Sequence, residues 1–231
     1  RIEDLAFTYG TTRLRGIDSD FRLVGLQPPR TGEAQRLRVS RIDTGISPVT
    51  NLEAILAVVP GAGGIPDLRI QYAEAEFAGG RMRLVEASAE TAAQTYRGRV
   101  ELDSLDLESL LALIGLDELS GEGRVSGAVP LTLANGTFSI DQGEVQGEGE
   151  GIIAFTSPDA RSALAAGGEA VSLMFDALEN FHYDELEIGL HKPPVGDTEV
   201  RLHLLGANPE VLDGHPFDLN ITLETDAAPL L

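Results

Sequence analysis

The 231-residue chain has no cysteine and no tryptophan, and only 5% of it is aromatic. The missing thiols rule out disulfides and thiolate metal sites, but they leave the redox compartment open. With so few rings, any apolar surface must be built from Leu, Ile, Val and Ala. Basic residues are scarce: 17 Lys and Arg stand against 37 Asp and Glu, giving a net charge of −20. A phosphate backbone demands clustered cations, so nucleic acid is excluded as a partner. The charge otherwise reads as a well-solvated surface. No apolar run approaches the ~20 residues of a membrane span. No signal peptide is visible, and the chain opens at Arg1 in mid-pattern, which reads as a piece of something longer.

Catalytic signatures are lacking too. Gly121, Gly123 and Gly127 miss the dinucleotide spacing by one and precede a strand. The Gly61–Gly64 loop lacks the Lys-Ser/Thr of a phosphate loop. His182 and His203, with Asp184, are the only combination that could gather as metal ligands, and their spacing fits exposed strand histidines better. Carboxylate pairs such as Asp103 with Asp106, or Glu148 with Glu150, are expected by chance at this acidity. Asn135-Gly136-Thr137 and Asn220-Ile221-Thr222 match the glycosylation sequon; the first reads better as a type I′ turn, and Asn220 falls mid-strand. No enzyme, cofactor or metal is expected.

What is present is alternation. The 26 Gly and 12 Pro suit many turns. Ile2, Leu5, Phe7 and Tyr9 open a strand-like segment, Leu14–Leu26 continues it, and Gln27–Gln35 is a turn. Strand candidates follow at Leu37–Ile46, at Leu52, Ala54, Leu56 and Val58, and, after a Pro60–Pro66 loop, at Leu68, Ile70 and Tyr72. Ala75 and Phe77 alternate likewise, and Gly79-Gly80 reads as a hairpin turn into Met82 and Leu84. Tyr96–Leu105, Gly123–Ala134, Thr137–Gly147, Phe181–Leu190, Glu199–Leu205 and Phe217–Leu223 complete roughly ten strands with one apolar and one wet face.

Two segments break the pattern. Asp106–Leu116 sets Leu107, Leu110, Leu111 and Ile114 on one helical stripe, with Asp106 and Glu108 at its start. Asp159–Asn180 carries Ala163, Val171, Met174, Phe175 and Leu178, and Gly167-Gly168 divides it. A helix about 10 Å wide shields only two or three strands spaced about 4.8 Å apart. Two helices therefore cannot roof ten strands. The remaining apolar face must meet a second sheet, close into a barrel, or stay open as a groove.

The stretch LDSLDLESLLALIGLDELSGEGRVSGAVPLTL, followed by NGTFSIDQGEVQGEGEG, resembles the C-terminal periplasmic region of the YdbH-type family. That family belongs to the AsmA-like clade of Gram-negative envelope proteins, and its domain has carried the label "dicarboxylate transport". ALENFHYDELEIGL, LLGANPEVLDGHPFDLNITLE and IDTGISPVTNLEAILAV extend the likeness over most of residues 37–225. It is strongest over 102–155 and 177–224, while residues 1–36 match only in style. The resemblance implies a mainly β fold, an elongated, curved antiparallel sheet forming an open, taco-like groove, with two short helical segments near 106–116 and 159–180.

It also implies a non-enzymatic lipid-transfer module of the Gram-negative periplasm. The groove would conduct phospholipid acyl chains between inner and outer membrane. The full-length protein would be anchored in the inner membrane, and its partner would be a small outer-membrane lipoprotein added by β-augmentation. The groove candidates are Leu52, Leu56, Val125, Val129, Leu131, Leu133, Leu186, Ile188, Leu202, Leu204, Leu219 and Ile221, each equally readable as ordinary core. The helix at 106–116 then reads as a plug or cap over one groove end. The chain is treated as a single β-rich domain over residues 1–231. The alternatives are an envelope scaffold that binds a partner strand and carries no lipid, and a dicarboxylate-binding protein. The latter would need convergent cations, for which Arg81, Arg83, Arg97 and Arg99 are the only cluster.

Overall fold

Alternation becomes strand over nearly the whole chain. A computed structural model describes residues 2–43, 45, 47–114, 118–163 and 168–225. The first half holds β1 (Ile2–Tyr9), β2 (Thr12–Ser19), β3 (Leu23–Leu26), β4 (Pro29–Thr31), β5 (Gln35–Asp43), β6 (Val49–Pro60), β7 (Pro66–Phe77), β8 (Gly80–Glu90) and β9 (Thr95–Asp106). The second half holds α1 (Leu107–Ile114), β10 (Leu119–Glu122), β11 (Arg124–Ala134), β12 (Thr137–Gly147), β13 (Gly151–Phe155), α2 (Pro158–Ala163), α3 (Glu169–Leu178), β14 (Phe181–Lys192), β15 (Thr198–Ala207) and β16 (Phe217–Thr225).

Fourteen of these strands form one antiparallel sheet that does not close. Its main path runs β1-β2-β5-β6-β7-β8-β9-β11-β12-β14-β15-β16, with β1 and β16 at its ends. The short strands β13 and β10 branch from the first half of β14, beyond the end of its pairing with β12. β3 and β4 form a separate hairpin. It docks on β6 where β5 no longer reaches: Val58 donates its N–H to the Thr31 hydroxyl at 3.1 Å.

The sheet bends through bulges. Asp4, Asn51, Glu86, Ser104 and Gln142 lie within strands at φ of 48°, 53°, 51°, 55° and 53°. Register shifts fall at or beside each of them. A left-handed residue costs a non-glycine side chain about 1–2 kcal/mol. In return each extra residue tightens the twist and turns a flat meander into a trough.

Several expected boundaries move for local reasons. Leu14–Leu26 is not one strand: β2 ends at Ser19, and the stretch expected as a turn after Leu26 contains β4. The hairpin turn is Ala78-Gly79, one residue early, with φ of 47° and 70°. At Asn135-Gly136 the turn is where expected, with φ of 52° and 78°, both positive as type I′ requires. The first helix is Leu107–Ile114, and residues 115–117 lie outside the described ones, as does Ile46. The second helical stretch is two helices, and Ala163 is exposed. β10 and β13, neither of them anticipated, are too short for alternation to announce.

Candidate functional site

Cross-strand partners share a face of a sheet. On one face of the first half, Leu5 faces Ile17, Ile17 faces Val39 and Val39 faces Leu52. Alongside, Leu37 faces Ala54, Ala54 faces Ala73, Ala73 faces Leu84 and Leu84 faces Val100. The row reaches β11 where Val100 faces Val129. One apolar face thus runs unbroken from β1 to β11. From β1 to β9 it crosses six inter-strand steps, about 29 Å of sheet at about 4.8 Å each.

The opposite face is a charged ladder. Asp18, Arg38, Glu53, Glu74, Arg83 and Glu101 are successive cross-strand neighbours. Arg36 reaches Glu53 at 3.0 Å, and Arg83 reaches Glu101 at 3.2 Å and Glu74 at 3.4 Å. These exposed pairs contribute about 0–1 kcal/mol each, so the ladder serves mainly to keep this face in water. Tyr72 belongs here, not beside Leu68 and Ile70, because an irregularity between Ile70 and Tyr72 flips the alternation. Its phenol is pushed up by its hydrogen bond with Glu74.

The apolar face differs between the two halves of the sheet. Near β6 and β7 only Ala54, Leu56 and Ala73 form a buried cluster, with half-buried Phe21, Leu37, Leu52, Leu68, Ile70 and Leu84 around it. The second half is packed solid. Val125, Val200 and Leu204 have no exposed surface, and Ile188 and Leu202 have 1% and 2%. α1 fills the trough at this junction, with Leu107 and Leu111 fully buried and Leu110 7% exposed. Burying a leucine contributes about 1.5–3 kcal/mol, so three of them hold α1 firmly. Asp106 caps the helix by accepting the Ser109 N–H at 3.0 Å, and Gly123 accepts the Leu107 N–H at 3.1 Å. α3 covers β13, where Phe175 stacks on Phe155 at 6.2 Å between centroids and lies 5.4 Å beneath the Arg161 guanidinium.

A polar clamp sits on the outer face beside α1. Glu148 accepts the Ser126 hydroxyl, and the Ser104 hydroxyl at 2.8 Å. These bonds hold its carboxyl below the usual range, and Arg124 adds to the effect. Arg124 itself donates to the carbonyls of Gly79 at 2.8 Å and Ser104 at 2.7 Å.

Of the sequence candidates, Val125, Val129, Leu186, Ile188, Leu202 and Leu204 lie together in the packed cluster. Leu131, Leu219 and Ile221 are half-buried against it, and Leu133 is half-buried nearby. Leu52 and Leu56 belong to the first-half cluster. Alternation also marked Ile70 and Leu84, and it runs through Val39 and Val100, none of which was singled out. His182 and His203 do not gather with Asp184. His182 faces Ala207 while His203 faces Glu187, five residues further along β14. No metal-ligating group of three occurs among the described residues. Arg81, Arg83 and Arg97 each have a glutamate partner, at 3.6, 3.4 and 3.3 Å, so they are not free convergent cations.

An open trough, apolar inside and charged outside, suits a ligand recognised by length and hydrophobicity. The family described as YdbH-like, intermembrane phospholipid transport protein YdbH, matches residues 1–230. The chain belongs to the YdbH-like family. No curated protein and no solved structure matches it. In this YdbH-like chain no described helix is long and apolar enough to cross a membrane.

Proposed function

We propose that this chain is a lipid-transfer module of the Gram-negative envelope, in which acyl chains lie along the apolar face of β1–β9 while headgroups stay wet at the rim. The observation that supports this most directly is the contrast between halves of one continuous face: a large packed core after α1, and before it a small buried cluster of Ala54, Leu56 and Ala73 ringed by half-buried Leu37, Leu52, Leu68, Ile70 and Leu84. Each CH₂ laid on that face contributes about 0.8 kcal/mol. An aliphatic wall without fixed donors binds all positions of a chain about equally, so lipid can slide. The mechanism requires no reacting group.

The partner in this reading is a small outer-membrane lipoprotein that adds a strand to the free edge of β16, in a protein anchored in the inner membrane. Charge supports the need for one. Residues 1–101 carry 13 basic and 13 acidic side chains, and residues 102–231 carry 4 and 24, so the entire −20 lies in the second part. A surface so acidic is repelled by anionic headgroups, which favours delivery through a bound protein.

Native mass spectrometry of gently purified protein tests the groove: co-purified phospholipid is expected, and its loss in Leu84→Arg, Ile70→Arg is the matching control. A lipid-free wild type would defeat the reading. A scaffold that carries no lipid has one observation in its favour, the packed interior after α1. It predicts partner capture through β16 with no lipid at any stage.

A further inference from the structure

The apolar face runs without interruption from β1 to β11, yet its character changes at one place. Leu107 and Leu111 of α1 sit on it with no exposed surface, and the side chains behind them, Val125, Leu186 and Leu204, are 0–3% exposed. An acyl chain moving along the face from β1 meets a helix whose leucines already fill the trough. The helix is fastened on both sides: its first N–H groups go to Asp106 and to the Gly123 carbonyl, and the Asp106 N–H goes to the Ala78 carbonyl at 2.9 Å. Among the described residues, Leu107, Leu110 and Leu111 occupy the trough at this point and leave at most 7% of their surface exposed.

Beside that stop lies a crevice of about 610 Å³, bounded by the β5–β6 connection, the β7–β8 turn and the first turn of α1. That volume is in the range of small-molecule sites. Its lining includes Phe77 and Ala78, which also belong to the apolar packing around α1, so the crevice opens where the groove face ends. Its remaining wall is polar. Arg81 stands between Glu76 and Asp103 as their cross-strand neighbour. Arg81 also pairs with Glu74 at 3.6 Å, so a headgroup phosphate would take Arg81 in exchange for that exposed carboxylate while the amine meets Glu76 and Asp103.

We propose that the acyl path ends against α1, and that phospholipid enters or leaves the groove at this crevice rather than through the C-terminal interior. The proposal rests on the groove reading above. It assigns the second half of the sheet to anchoring and partner contact, and the first half to carriage.

The absence of tryptophan makes single-tryptophan variants clean reporters. Each variant is loaded from vesicles of phosphatidylethanolamine with brominated acyl chains, which quench tryptophan only on contact. Ile70→Trp and Leu84→Trp, before the plug, are expected to lose most of their fluorescence. Phe181→Trp and Leu204→Trp, behind it, are expected to keep theirs; the exchange Phe175→Trp on α3 keeps the far side readable if either fails to fold. Asp103→Trp, an exposed crevice residue, is expected to slow loading about tenfold with the final amount unchanged, whereas exposed Asp141→Trp on β12 leaves the rate alone. Quenching behind the plug equal to that before it overturns the proposal and leaves the groove reading intact. An unaltered loading rate in Asp103→Trp overturns the assignment of the crevice. Quenching at no position overturns both readings.

Discussion

Gly121 of β10 lies directly beneath Leu107 of α1: a Cβ at position 121 would stand 2.9 Å from Leu107 Cδ2 and 3.1 Å from Leu111 Cδ1. α1 sits this close to the sheet because residue 121 has no side chain. Gly121→Ala is expected to lower stability by about 1–3 kcal/mol through overpacking. Leu107→Ala alone costs about 2–5 kcal/mol as a cavity. In the double variant the new methyl enters the vacated space, so the combined loss falls short of the two single losses added together. Denaturant melts of the four proteins measure that coupling, and strict additivity would contradict the contact.

Glu148 gives a pH dependence with a definite sign. Its pKa is lowered in the folded state by bonds from Ser126 and Ser104, against an ordinary value of 4.5. A depressed carboxylate stabilises the fold above its unfolded pKa, and that contribution fades as pH falls through the folded value. Glu148→Gln should therefore melt below the wild type at pH 7, and the gap should close as pH falls below about 4.5. The site is exposed, so the gap is a few degrees at most. A gap that widened on acidification would show that the clamp is not ionic.

How much of this was legible in the residues follows from what alternation can and cannot report. Period two located the long strands, because each has one face against the trough and one in water. It failed at Tyr72, where an irregularity of one residue reversed the faces, and at Ser19, where the chain left the sheet. Bulges at Asn51, Glu86 and Gln142 leave no compositional mark, so curvature was not readable. The candidate residues were chosen by alternation alone. Alternation does not distinguish Leu204, with no exposed surface, from Leu52, half-buried on the trough wall; Leu204 belongs to the large cluster that also takes in residues of α1 and α3 from elsewhere in the sequence. The helix stripe at Leu107, Leu110 and Leu111 was legible, because 3.6-residue periodicity stands out against a β background.

That same distinction predicts unequal costs for equal substitutions. Leu204→Ala removes a fully buried side chain and should cost about 2–5 kcal/mol. Leu84→Ala, at a half-buried trough position, should cost about 1 kcal/mol, since water fills the space. Chemical denaturation of lipid-free protein measures both. Equal losses would mean that the first-half trough is as tightly packed as the second.

Asn208 ties the last turn of α3 to the end of β15. It is 3% exposed, and its Nδ2 donates to the Asp176 carbonyl at 3.0 Å and the Ala177 carbonyl at 3.3 Å, while its Oδ1 accepts the Glu210 N–H at 2.9 Å. Helix C-termini leave carbonyls without partners, and here a single amide satisfies two of them. Asn208→Ala strands these buried groups at about 1–3 kcal/mol each when they are left unpaired, reduced where water reaches them. The loss should be local, because β13 is the strand α3 packs on most. Hydrogen exchange should therefore quicken at α3 amides by tenfold or more while β6–β8 amides keep their wild-type protection. Faster exchange spread evenly over the sheet would show instead that both halves unfold as one unit.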